Sequence, residues 1–191
     1  MANRPQPLPR KASAQPRRVR DTGYTESHFG WDMALVVCPR CQGPARTMPG
    51  QRTDNKTDPA KAFTAHKLVC TACSHTRGAG QTEPSSAVGI GGATDAAFGL
   101  PFWLTIETRH GLLYAQNLEH LDIIEAFVAG TLRERRLVEY RGNGRNMPSN
   151  MRWHDNKTIV SRLPRWVKLA KKRAEVLSAL ARLRAKASAQ S

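Results

Sequence analysis

The four cysteines of the 191-residue chain fall as Cys38-Pro39-Arg40-Cys41 and Cys70-Thr71-Ala72-Cys73. A two-residue loop presents both sulfurs of a pair from one tight turn. Two such knuckles bring four thiolates to one ion at about 2.3 Å with tetrahedral angles. The spacing points to one Zn2+ held by Cys38, Cys41, Cys70 and Cys73. Four protein ligands leave no coordination position for water or substrate, so the metal is expected to be structural and not catalytic. Gly43 suits the end of the first turn, where positive φ is cheap for glycine, while Ser74 and His75 take that place in the second. The segment between the pairs, residues 42–69, exceeds the ~15 to 20 residues of the common pattern. Residues 49–59 read as a polar insertion within it.

Two other uses of the cysteines compete. Disulfides belong to small secreted chains, and no secretory signal is read here. A redox Cys-x-x-Cys sits in a βαβ setting that the flanking residues do not suggest. His66 and His75 could each replace a sulfur but are expected at the surface or behind the ligands. His28, His110, His120 and His154 are scattered, with no nucleophile, base and orienting acid in sequence, so the chain is expected not to be an enzyme. Glu119 and His120 are adjacent on a helix and point about 100° apart. His120 is expected on the helix surface or in a cap.

Thirty Lys and Arg against fifteen Asp and Glu give a net charge of +15. The excess sits at both ends, flanking an acidic centre over 81–130. That asymmetry predicts a polyanion, nucleic acid first, because each phosphate neutralised releases counterions. An anionic membrane surface or an acidic protein partner satisfies the same arithmetic. No run of about 18 apolar residues exists to span a membrane, and a cytoplasmic protein is expected.

The elements that must position these residues give an α+β chain. Residues 1–30 interleave Pro5, Pro7, Pro9 and Pro16 with six Arg and Lys, and predict a disordered basic tail. Over 31–80, Asp32–Val37 and His66–Val69 each lead as a strand into a knuckle, which makes a zinc ribbon that needs its metal to fold. Residues 81–97 are small and Gly-rich and read as a linker. They lack the Lys and Ser or Thr of a phosphate-binding loop. Residues 98–191 open with a hairpin, Leu100–Glu107 against Leu112–Gln116, turning at Thr108-Arg109-His110-Gly111. An amphipathic helix follows, with Leu118, Leu121, Ile124, Phe127 or Val128 and Leu132 in its stripe and Asn117 as N-cap. Arg141–Pro148 is a basic loop. The region from Asn156 to Lys186 is helical, broken at Leu163-Pro164, with a stripe of Trp166 or Val167, Ala170, Ala174, Leu177, Leu180 or Ala181 and Arg184.

Cations dense along this last region, with aromatics among them, suit phosphate contact and base stacking. The candidate nucleic-acid-binding residues there are Arg152, Trp153, Arg162, Arg165, Trp166, Lys168, Lys171, Lys172 and Arg173, joined by Arg40, Arg46 and Lys67 on the ribbon. A solvated basic helix face is the plainer use of the same residues, and Trp103 is expected in the core. A protein-protein adaptor, docking on a transcription or translation machine, is the alternative function.

The blocks Phe98–Leu104, Tyr114–Leu121 and Ser161–Lys171, preceded by the two knuckles, resemble uncharacterised bacterial proteins labelled for a transcription-factor-type zinc ribbon. The likeness spans about residues 34 to 186, leaves the basic tail outside, and implies the ribbon without implying an activity. Where such proteins often carry a cysteine pair in the hairpin, this chain has Thr108-Arg109-His110.

Overall fold

The computed structural model describes residues 17–24, 33–48, 66–78, 92–95, 97–134, 137–139, 152–154 and 158–189. Its strands are β1 Arg18–Arg20, β2 Leu35–Val37, β3 Pro44–Met48, β4 Lys67–Cys70, β5 Thr76–Gly78, β6 Leu104–Thr108, β7 Gly111–Ala115, β8 Leu132–Glu134, β9 Leu137–Glu139 and β10 Arg152–His154. Its helices are α1 Leu118–Ala129, α2 Ile159–Arg162, α3 Arg165–Lys168 and α4 Arg173–Ser188, with a 3-10 turn at Ala170–Lys172. The expected insertion at 49–59, the loop Arg141–Pro148 and His28 lie outside the described residues.

Strands β2 to β5 form one antiparallel sheet in chain order, with the two knuckles at its β2–β3 and β4–β5 turns. Alternation in β3 and β4 turns Ala45, Thr47, Leu68 and Cys70 to a buried face. Phe102 closes that face, with Phe98, Leu100 and Tyr114 packed beside it. The far edge of β2 is bonded to the hairpin segment: Leu35 N donates to Gln116 O at 2.7 Å, Trp103 N to Leu35 O at 2.8 Å and Val37 N to Pro101 O at 2.9 Å. The ribbon is thereby joined to the second half through backbone.

The segment expected as a linker over 81–97 takes part in that junction at its end. Thr94 bridges Pro101, and Phe102 N donates to Ala93 O at 2.9 Å. Buried Asp95 accepts from Ala97 N at 3.1 Å and Phe98 N at 2.8 Å. Burial pushes its carboxyl up, against those two N–H groups and the charge of His66.

The hairpin β6–β7 packs against α1 and α4 over a second core of Leu104, Leu113, Leu121, Ile124, Val128, Val167, Val176, Leu180 and Leu183. Helix α1 starts as the sequence reads, with Asn117 Oδ1 accepting from His120 N at 2.8 Å. It stops at Ala129, before Leu132, which is exposed on β8. The cause is Gly130, where an added Cβ would lie 2.7 Å from Val19 Cγ2, so β1 crosses the helix end only over glycine.

The break at Pro164 is present, but a second one at Leu169 resets the helical phase. In α4 the buried stripe is Val176, Ala179, Leu180 and Leu183, and Ala170, Ala174 and Ala181 face water. The stripe expected from Ala170 onward was read through a turn that is not α-helical.

The expected disordered tail is corrected over residues 17–24, while residues 1–16 and 25–30 lie outside the described residues. Residues 17–24 run as a strap, with β1 parallel to β8 and Arg18 opposite Leu132. Asp21 N donates to Glu134 O at 3.0 Å, and Asp21 Oδ2 accepts from Thr158 Oγ1, the N-cap of α2, at 2.7 Å. Ile159 N donates to Tyr24 O at 2.8 Å. Val19 and Asp21 supply what prolines and arginines obscured, an apolar contact and a cap partner. No described helix is long and apolar enough to cross a membrane.

Candidate metal centre and basic surface

The four sulfurs of Cys38, Cys41, Cys70 and Cys73 all lie within 4.8 Å of one another. Cys38 and Cys73 are 3.8 Å apart and Cys41 and Cys70 3.6 Å, and no disulfide links them. An ion with ~2.3 Å bonds to four sulfurs requires sulfurs ~3.8 Å apart, so the donors fit one tetrahedral ion. His66 and His75 are not among the grouped donors.

Both knuckles are built alike. Gln42 (φ 58°) and Ser74 (φ 54°) each follow the second cysteine in the left-handed conformation. Cys38 N donates to Gly43 O and Cys70 N to His75 O, both at 2.8 Å. The left-handed residue expected at Gly43 is therefore Gln42. Gly43 serves another purpose, since a Cβ there would lie 3.3 Å from Cys41 Sγ.

The cluster sets the thiols against one another. Burial raises Cys38, but the backbone N–H groups of Cys41 and Arg40 and the thiols of Cys70 and Cys41 outweigh it, and its pKa is lowered to about 7. Cys73 is favoured by the N–H of His75, but burial and the thiols of Cys41, Cys70 and Cys38 push it up to about 12. A first thiolate forms easily and the later ones do not without a cation. A soft or borderline ion supplies that charge and releases the protons.

The cations divide into two groups. Arg40, Arg46 and Lys67 are exposed on the ribbon. Register puts Arg46 and Met48 of β3 on the same face as Lys67 and Val69 of β4, opposite the buried face. Arg77 on β5 is exposed too, and the sequence reading passed it over. Arg162, Arg165 and Lys171 are exposed around α2 and α3. Arg152 and Trp153 lie on β10, opposite Glu139 and Val138 of β9.

The rest of the basic region is turned inward. Lys168 Nζ donates to Ser161 O, and Lys172 lies 3.8 Å from Glu175. Arg173 donates to Val128 O at 3.1 Å and Gly130 O at 3.0 Å. Trp166 is half-buried with its ring 5.7 Å from that of His110. Arg184 holds Asp122 and Glu125, and Lys186 sits 4.0 Å over the ring of half-buried Trp103. Arg109 forks onto Glu175 at 2.9 and 2.8 Å; with His110 it holds that carboxyl down at about 2. Apart from Lys172 and Glu175, three residues apart, sequence alone gave no sign of these destinations, because each partner is distant along the chain. His120 is likewise buried, not on the surface, and burial lowers its pKa to about 4.

Fold and site together define a four-cysteine metal-binding β module joined to a hairpin-and-helix layer. No family model, no curated protein and no solved structure matches the chain.

Proposed function

We propose that this is a zinc-ribbon nucleic-acid-binding protein, cytoplasmic and not an enzyme, in which zinc is structural and exposed cations contact phosphate. One observation carries the reading: the described ribbon bears Arg40, Arg46, Lys67 and Arg77, all exposed, and no Asp or Glu. Zn2+ with four thiolates has a net charge of −2, and two of its cysteines are buried. The exposed charged side chains of the described ribbon are all positive, with Arg46 and Lys67 on the outer face and Arg77 in register with Leu68 of the other. Four sulfurs in tetrahedral reach suit Zn2+, which has no preferred geometry of its own to oppose them.

Binding of the zinc-loaded protein to matched single- and double-stranded DNA and RNA across a salt series tests the reading. The expected result is a preference for one polymer that persists at physiological ionic strength. The double variant Arg46→Ala, Lys67→Ala is expected to lower the salt slope by about 2 on a duplex while leaving zinc bound. Weak binding to all four polymers that vanishes with salt overturns it.

The adaptor reading has its own observation. Met48, 44% exposed, lies opposite Lys67 and two residues from Arg46 on the outer face, an apolar contact flanked by two cations. Association with a transcription or translation machine that survives nuclease and is lost in Met48→Lys would favour it.

A further inference from the structure

Two guanidiniums meet at the C-terminal end of α1. Arg133, on β8, donates through Nε to Gly130 O at 3.3 Å, through Nη1 to Lys168 O at 2.5 Å and through Nη2 to Val128 O at 3.2 Å. Arg173, opening α4, donates to the same two oxygens, Val128 O at 3.1 Å and Gly130 O at 3.0 Å. Both side chains are half-buried, and Arg133 lies 4.6 Å over the Phe127 ring.

The pair differs from the other guanidiniums of the second half that are paired within the protein. Arg109 has Glu175, and Arg184 has Asp122 and Glu125. Among the described residues no carboxylate lies within ion-pair reach of Arg133 or Arg173. Glu134 is held by Arg18 at 3.0 Å, and Glu175 by Arg109 and His110.

Charge shows what is missing. A helix C-terminus supplies roughly half an elementary negative charge, and two guanidiniums bring two positive ones, so about one and a half remain uncompensated. Each guanidinium has five N–H donors. The carbonyls take three from Arg133 and two from Arg173, and the remaining donors have no protein acceptor among the described residues. Burial, and after it the charge of Arg173, press the Arg133 guanidinium below its ordinary pKa.

We infer that the Arg133–Arg173 pair at the end of α1 is the seat of one phosphate group. A phosphodiester, with one negative charge and two free oxygens, offsets most of the residual charge and offers acceptors to the unused donors. The seat rests on the proposed nucleic-acid function only for the source of that phosphate, a backbone phosphate as against free phosphate.

The test is an NMR titration of the full-length, metal-loaded protein with inorganic phosphate at constant ionic strength, chloride being the control. The Arg133 and Arg173 Nε–H signals are expected to shift together and saturate with phosphate but not with chloride. Arg173→Gln, which keeps an amide donor for the α1 carbonyls, should abolish the saturation. Signals that drift alike with both salts would make the pair a helix cap only and overturn the seat. In a second arm, an oligonucleotide of the preferred polymer should move the same signals, and Arg173→Gln should lower the salt slope by about 1. Phosphate saturation with an oligonucleotide that leaves both signals in place would keep the seat and overturn its nucleic-acid source. Oligonucleotide binding with an unchanged slope and no phosphate response would overturn the seat and leave the nucleic-acid reading standing.

Discussion

Among the described residues eleven side chains are large and fully buried, and of these only Leu68 and Val36 come from the four-stranded ribbon; the others line the hairpin and helices. Two of the seven buried residues in the ribbon cluster are the ligands Cys38 and Cys70, and Phe102 is lent by the segment that follows. The hairpin and helices need no such loan, and carboxylate-guanidinium pairs from Arg184 and Arg109 tie α1 and the hairpin turn to α4. Burying Leu68 and Val36 contributes roughly 3 to 6 kcal/mol, whereas a structural zinc contributes about 10 to 16 kcal/mol at neutral pH. Among the described residues one half is therefore held by hydrocarbon, and the other has four cysteines placed to hold a metal in its stead.

Removing the metal is the strongest way to break that comparison. A chelator, or Cys38→Ser, is expected to remove on the order of 10 kcal/mol of metal-linked folding energy. Amide dispersion from β2 to β5 should collapse while the helical circular dichroism of α1 and α4 persists. Helix content falling in step with the ribbon signals would refute the division. It would show that the bonds from Leu35 and Val37 to Gln116, Trp103 and Pro101 couple the halves into one unit.

Acid should act on the second half through His120, whose ring is buried and whose Nδ1 accepts from Gln116 N at 3.2 Å. Its pKa falls from an ordinary 6.5 to about 4 because burial disfavours the charged ring. The folded form thus prefers the neutral ring. Its stabilisation is complete above pH 6.5 and is lost as pH falls through 4. The loss amounts to about 3 kcal/mol. Glu175, held at about 2 from an ordinary 4.5, adds a loss of the same sign only below pH 4.5. Denaturant melts of the metal-loaded protein at pH 7 and pH 4.5, followed by α1 amides, check this. His120→Gln should flatten the difference. An unchanged pH dependence in that variant would assign the acid response to the thiolates instead.

These halves were not equally legible in the sequence. The ligands, the strands entering each knuckle, the hairpin turn and the Asn117 cap depend on neighbours within a few residues, and local spacing reports them. The strap of residues 17–24 does not. Val19 finds Gly130, and Asp21 finds Thr158, across more than a hundred residues, and neither shows any periodicity. The inward cations are opaque for the same reason. Nothing near Arg173 in sequence tells that its guanidinium meets the carbonyls of Val128 and Gly130.

The smallest effect lies inside the metal centre, where the two knuckles share one backbone and differ in how it is filled. Gln42 and Ser74 both hold left-handed φ, a conformation that costs an L-residue roughly 1 to 2 kcal/mol. Glycine avoids that cost but loses about 0.5 to 1 kcal/mol more chain entropy on folding. Gln42→Gly and Ser74→Gly should each stabilise the ribbon by about 0.5 to 1 kcal/mol, a roughly two- to fivefold gain in zinc affinity. Gly43→Ala should do the reverse. Its added Cβ would lie 3.3 Å from Cys41 Sγ and 3.6 Å from Ala72 Cβ, so the sulfur must shift off its tetrahedral corner. Competition with a chromophoric chelator reads all three variants on one scale. A gain at Ser74 with a loss at Gly43 would assign the two effects to backbone strain and sulfur crowding respectively. Equal losses at both positions would mean that the knuckles tolerate no change of backbone, whatever its φ.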